Sequence, residues 1–119
     1  MEKRFFNTVD ERLDFIEFRQ ELLYYNDDVS RVVFVYNLTQ AEYNAILSLM
    51  DNLRSQIVKG EKVYSAKYEQ DIYNIAPHLN NDYHFCELIA KTFYEDNRYS
   101  EVFQALYGDR LKYSSLKDE

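Results

Sequence analysis

The chain has few of the residues that tight turns, phosphate-binding loops and disulfides require. Its 119 residues include two glycines, one proline and one cysteine. Sheet proteins and long irregular loops usually need more turn residues, so this scarcity favours helices joined by short links. Two glycines also cannot supply a glycine-rich phosphate loop, which argues against the common nucleotide-binding motifs.

Cysteines and long apolar runs are scarce as well. Cys86 is the single cysteine, so a disulfide within the chain is excluded. Because no secretory signal peptide is recognisable either, we expect a cytoplasmic protein. No apolar run approaches the roughly 20 residues that a transmembrane helix needs, and we expect no membrane partner.

Positive charge is the third deficit. The formal net charge is −7, and neither half of the chain is basic. Proteins draw much of their affinity for nucleic acids from Lys and Arg side chains on phosphates, so nucleic acid is not an expected partner. We expect one domain over residues 1–119, with residues 1–7 and 114–119 loosely ordered.

What the chain does contain is a strong helical pattern, clearest in Leu38–Gly60. Thr39 and Glu42 have the spacing of a capping box, and Gly60 suits a helix end. Between them, apolar residues recur at alternating spacings of three and four, which places them on one helix face. These residues are Tyr43, Ile46, Met50, Leu53 and Ile57.

Other segments show similar caps and spacings, and the predicted fold class is all-α, a small bundle of five to six helices. The further helices are predicted at Thr8–Tyr25, Val29–Tyr36, Ser65 to the residue before Pro77, Tyr83–Asp96 and Tyr99–Tyr107. Arg31–Leu38, RVVFVYNL, is ambiguous because its β-branched and aromatic residues have strand propensity. A lone strand has nothing to pair with inside the chain, so a short buried helix is favoured. A strand that pairs across a dimer is the alternative.

The first helix has apolar residues on two nearly opposite faces. Val9, Leu13, Ile16 and Leu23 lie on one face, and the other face consists of Phe15, Phe18, Leu22 and Tyr25. Either both faces are buried within the domain, or one packs on a second copy of the chain. Large exposed apolar patches usually mark interfaces, so we predict a homo-oligomer, a dimer or a tetramer. The predicted interface residues are Phe15, Phe18, Leu22 and Tyr25.

No residue pattern predicts catalysis, a cofactor or a metal site. His78, His84 and Cys86 lie close in sequence, but His84 and Cys86 are two apart on a helix and point in divergent directions. Cys86 shares an apolar face with Phe85 and Ile89, which is typical of a core residue. The chain contains twelve tyrosines, whose apolar rings and polar hydroxyls suit either an interface or a core whose edges are in contact with water. We therefore predict a protein that is not an enzyme.

Three segments resemble a small family of uncharacterised proteins from Gram-positive bacteria, the YhaI-like family. They are ERLDFIEFRQELL at Glu11–Leu23, LTQAEYNAILSLMDNL at Leu38–Leu53, and FYEDNRYSEVFQAL at Phe93–Leu106. The likeness covers about residues 10–107 and consists of helix openings and apolar positions. It implies an all-helical fold that assembles into oligomers, and it implies no activity, because the family is a domain of unknown function.

The leading functional hypothesis is a non-enzymatic protein that acts through self-assembly or an unidentified protein partner. A helix-turn-helix DNA-binding regulator is the alternative, because LTQAEYNAIL resembles a helix opening of winged-helix regulators. The next helix, AKYEQDIYNI, has one lysine and two acids, and no glycine-rich wing follows it. A binder of a small ligand or a metal is the third hypothesis.

Overall fold

The computed structural model describes residues 4–109, and within this range the chain is all-helical, as predicted, with no strand. Six α-helices and one 3₁₀ turn follow one another along the described residues. They are α1 (Val9–Tyr25), α2 (Asp28–Val35), α3 (Gln40–Val58), α4 (Ser65–Ile75), the 3₁₀ turn Pro77–Leu79, α5 (Tyr83–Glu95) and α6 (Ser100–Tyr107).

Four helices, α1, α2, α3 and α5, begin at a side chain that accepts from a free backbone amide, whereas α4 and α6 have no side-chain cap. The capping box at α3 is confirmed: Thr39 Oγ1 accepts from the Glu42 amide, and the Glu42 carboxylate accepts from the Thr39 amide. Thr8 caps α1 by accepting from the Glu11 amide. Asp27 caps α2 by accepting from the Ser30 amide. Because α2 extends to Val35, the first five residues of the ambiguous segment RVVFVYNL are helical, and the strand alternative is wrong.

The core is built around α5, which packs against α2, α4 and α6. Six of its residues are buried, namely Phe85, Cys86, Ile89, Ala90, Thr92 and Phe93. α3 packs on α4 and α6 and contributes Ile46, Met50 and Leu53. α1 packs mainly on α2, so it lies at the edge of the bundle.

The expected loose ordering of residues 114–119 lies outside the described residues. At the other end, Arg4, which precedes α1, donates to the carbonyl of Asn37 and to both carboxylate oxygens of Glu42. These bonds attach the start of the described chain to the link between α2 and α3.

Candidate functional site

The outer face of α1 carries a row of exposed apolar side chains. Val9 is 72% exposed, Leu13 and Ile16 are each 50% exposed, and Leu23 is 59% exposed. Gln20, also exposed, lies between Ile16 and Leu23 on the same face. We call these five residues the α1 seam.

The face predicted to form the interface lies on the inner side of α1. Phe18 and Leu22 are buried in the core of the same chain, and Phe18 stacks near Tyr43 of α3 with ring centroids 6.3 Å apart. Phe15 is half-buried, and Tyr25 is exposed. The interface prediction therefore needs correction at Phe18 and Leu22, because they already fill the space between α1 and its own chain.

Arg19 explains why α1 turns this face inward. Its guanidinium donates 2.9 Å hydrogen bonds to the carbonyl of Phe34 and to Oδ1 of Asn37. It also lies over the Phe34 ring, with Cζ 3.7 Å from the centroid. Burial lowers the pKa of Arg19, although its charge is satisfied by these partners. Arg19 was not among the residues singled out from the sequence; its position between Phe15 and Leu22 was the available signal.

A groove with a volume of about 660 Å³ lies between α1 and the first turns of α3. Its aromatic floor is made by Phe6, Phe15 and Phe18. The α3 wall is neutral and polar, and the α1 wall is acidic. The α3 wall consists of Thr39, Gln40, Ala41 and Asn44, and the α1 wall of Glu11, Asp14, Glu17 and Glu21. We call this feature the α1–α3 groove.

The acids of the groove have few partners inside the protein. Glu11 accepts a 3.4 Å hydrogen bond from the Asn7 amide. Within residues 4–109, Asp14, Glu17 and Glu21 form no ion pair or side-chain hydrogen bond. A charge run of this kind is usually a solvated face. The spacing of three, three and four residues was the signal that these acids share one side of the helix.

A separate polar cluster joins the segment before α1, the α2–α3 link and the 3₁₀ turn. Arg4 bridges the Asn37 carbonyl and Glu42, and His78 Nε2 lies 2.9 Å from the Tyr36 carbonyl oxygen. The other ring nitrogen, Nδ1, is 4.0 Å from Glu42. Each of these groups has a partner within the chain, so the cluster fixes the link and leaves no open coordination position.

The charge of Glu42 is stabilised despite its partial burial. Burial alone would raise the pKa of this carboxyl. The hydrogen bonds from Arg4 and from the Thr39 amide outweigh that effect and hold the pKa below its usual range.

The residues considered for metal or thiol chemistry are not brought together. Cys86 is fully buried, whereas His84 is exposed. Burial raises the pKa of the Cys86 thiol to about 12, and the thiolate is the reactive form of cysteine. Among the described residues, no group of three or more His, Cys, Asp and Glu side chains could hold a metal ion. Residues 4–109 also contain no helix that is long and apolar enough to cross a bilayer.

The segment that suggested DNA binding lies at the start of α3. Its Thr39 and Glu42 belong to the capping box and to the cluster with Arg4. The lysine of the following helix, Lys67, pairs with Asp71 at 2.7 Å. DNA binding therefore stays a prediction, which a gel shift at low salt would test.

Comparisons with family models, with curated proteins and with solved structures find no match to this chain.

Proposed function

We propose that this protein is a non-enzymatic cytoplasmic interaction protein that self-assembles through α1. The observation that carries the proposal is the exposure of the α1 seam, where four large apolar side chains are each at least half exposed. A contiguous apolar stripe on a protein surface is a typical mark of an interface. The YhaI-like resemblance supports the same proposal, and membership of that family is part of it.

The spacing of the α1 seam suits a second helix. Its residues 9, 13, 16, 20 and 23 are separated by four, three, four and three positions, which is the heptad spacing of a coiled-coil seam. Gln20 is the one polar member, and a polar residue in such a seam fixes the register of the two helices. Because α1 packs mainly on α2 at the edge of the bundle, a second copy can approach it.

The charges beside the seam favour a parallel arrangement. Arg12 flanks one side of the seam, and Asp10 and Glu17 flank the other. In a parallel pair, Arg12 lies next to Glu17 of the second copy, whereas an antiparallel pair places like charges together. Arg12 has no ion pair within residues 4–109 that would compete. We therefore assign the interface to two parallel α1 helices.

Sedimentation of an Ile16→Glu variant tests the proposal. Ile16 is at the middle of the seam, and the change would bury one carboxylate from each copy in an apolar contact. We expect the wild-type protein to be a dimer or larger at about tens of micromolar and the variant to be a monomer, with a dissociation constant raised at least ~1,000-fold.

Val58→Glu is the matched control, because Val58 is 80% exposed and lies at the far end of α3. This variant should have the same mass in solution as the wild type. A monomeric wild-type protein would refute self-assembly. An Ile16→Glu variant that keeps the wild-type mass would show that the α1 seam is not the interface.

A further inference from the structure

The α1–α3 groove has an acidic wall whose carboxylates form no ion pair within the described residues. Its aromatic floor is flanked on one side by the carboxylates of α1 and on the other by neutral groups of α3, among them Gln40 and Asn44. The neutral wall offers amide groups but no countercharge. The nearest cation of α1, Arg19, is bound to the Phe34 carbonyl and to Asn37.

The acidic wall is arranged at a cost to the helix that carries it. Asp14 and Glu17 are three positions apart, and Glu17 and Glu21 are four apart, so like charges are neighbours on the helix surface. Such pairs destabilise a helix, and these three acids have no partner within residues 4–109. The other described ion pairs show that acids elsewhere in the chain, such as Asp28 and Glu101, do have cationic partners.

The aromatic floor already accepts cations from the chain itself. The Arg4 guanidinium lies 5.9 Å from the centroid of the Phe6 ring, and the Arg19 guanidinium lies 5.4 Å from that of Phe15. The face of a phenyl ring attracts a cation electrostatically. The groove thus combines ring faces, which bind both apolar groups and cations, with carboxylates, which bind guanidinium and ammonium groups.

We propose that the α1–α3 groove binds a partner protein through a peptide segment in which arginine or lysine alternates with apolar residues. The groove is open to solvent, and its volume of about 660 Å³ is within the range of clefts that bind drug-sized ligands. The apolar residues of the segment pack on Phe6 and Phe15, which are half-buried, and its cations pair with Asp14 and Glu21. Phosphate-bearing partners are repelled by the same wall.

Fluorescence anisotropy with a labelled basic peptide tests this assignment. The probe is a peptide of three Arg-Ala-Leu repeats, and its matched control has each arginine replaced by citrulline, which keeps the shape and removes the charge. We expect the arginine peptide to bind at least ~10-fold more tightly than the citrulline peptide, with an affinity that falls as salt rises.

A double variant, Asp14→Asn with Glu21→Gln, should weaken binding of the arginine peptide about tenfold or more. The same variant should unfold at an equal or higher denaturant concentration than the wild type, because it removes repulsion between like charges. A role limited to structure would not produce lower affinity together with unchanged or higher stability. The control double variant, Glu61→Gln with Glu95→Gln, removes the same charge from exposed acids outside the groove and should bind normally.

Equal affinity for the arginine and citrulline peptides would overturn the proposal. So would equal losses in the two double variants, which would indicate attraction by net charge alone. The inference is separate from self-assembly, because the acids that pair with the peptide, Asp14 and Glu21, lie away from the seam, and Glu17, which flanks the seam, is not required for peptide binding. Peptide binding should therefore persist in the monomeric Ile16→Glu variant, and each idea can fail without the other.

Discussion

At the scale of single residues, asparagine performs the task that glycine performs in most helical proteins. Asn26, Asn37, Asn81 and Asn97 have φ values of 51°, 58°, 67° and 59°, in the left-handed region. Each lies in a link or at a helix end, and asparagine tolerates this conformation better than other residues with a side chain. Glycine is scarce in this chain, and asparagine therefore adopts the left-handed conformation at most of the links and helix ends that require it.

The two glycines of the chain should respond differently to substitution. Gly60 has φ +83° and open space where a Cβ would lie, so Gly60→Ala should cost about 1 kcal/mol and Gly60→Asn less, since asparagine tolerates this conformation. At Gly108 a Cβ would lie 2.4 Å from the carbonyl oxygen of Gln104. Any side chain there is expected to cost about 1–3 kcal/mol, because the Cβ itself collides.

Urea unfolding of the four variants, with Ala and Asn at each position, checks this expectation. The informative quantity is the difference between the Asn and Ala variants at one site. We expect asparagine to recover stability at Gly60 and to recover none at Gly108. Equal behaviour at the two sites would contradict the distinction between a conformational and a steric requirement.

At the scale of elements, helix positions were predictable and the orientation of α1 was not. The caps Thr8 and Thr39 are local, and each satisfies a backbone amide within its own turn. The two faces of α1 are similarly apolar, so hydrophobicity alone does not decide which one is buried. That choice depends on groups distant in sequence, namely the Phe34 carbonyl and Asn37, which Arg19 reaches only when α1 has this orientation.

The same element provides a test of how two α1 helices meet. In a parallel pair, the two Val9 residues face each other across the seam, and cysteines at this position are within disulfide distance. In an antiparallel pair centred on Ile16, they would be about 20 Å apart. We therefore expect a Val9→Cys variant to form a disulfide-linked dimer rapidly under mild oxidation, as measured by non-reducing gel electrophoresis.

Val58→Cys, which places a thiol of similar exposure outside the seam, should cross-link much more slowly. The native Cys86 does not interfere, since it is fully buried. Rapid cross-linking through Val58→Cys, or its absence through Val9→Cys in a protein that sediments as a dimer, would argue against the parallel arrangement.

At the scale of the whole molecule, the groove shows what a sequence pattern cannot supply. The acids of α1 and the residues Gln40 and Asn44 are far apart in the chain, and the packing of α1 on α2 and of Phe18 near Tyr43 brings them to one groove. The polar groups of the core depend on packing in the same way. Tyr68 donates to the Cys86 carbonyl and Tyr107 to Glu69, and no buried side-chain nitrogen or oxygen among the described residues lacks a partner. The helical spacing of the segment that begins at Ser65 does not reveal the partner of the Tyr68 hydroxyl.

The buried phenols and the buried thiol should make the whole fold sensitive to alkali. Burial raises the pKa of Cys86 to about 12 from about 9. Burial likewise raises the pKa of Tyr68 well above its usual value of 10. Between the unfolded and folded pKa values, the unfolded chain releases protons that the folded protein retains. The stabilisation that these groups provide is therefore fully present below about pH 9. As pH rises above this value, the free energy of unfolding falls by up to ~1.4 kcal/mol per pH unit for each such group.

Urea unfolding at a series of pH values between about 8 and 11 measures this slope, with Tyr68→Phe as the variant. At neutral pH the variant should lose about 1 kcal/mol with the hydrogen bond to the Cys86 carbonyl. At alkaline pH it should lose stability less steeply than the wild type, because one group no longer titrates on unfolding. Tyr24→Phe is the control, since Tyr24 is 84% exposed and should leave the slope unchanged. Parallel pH profiles for Tyr68→Phe and the wild type would show that the Tyr68 hydroxyl is not held protonated by the fold.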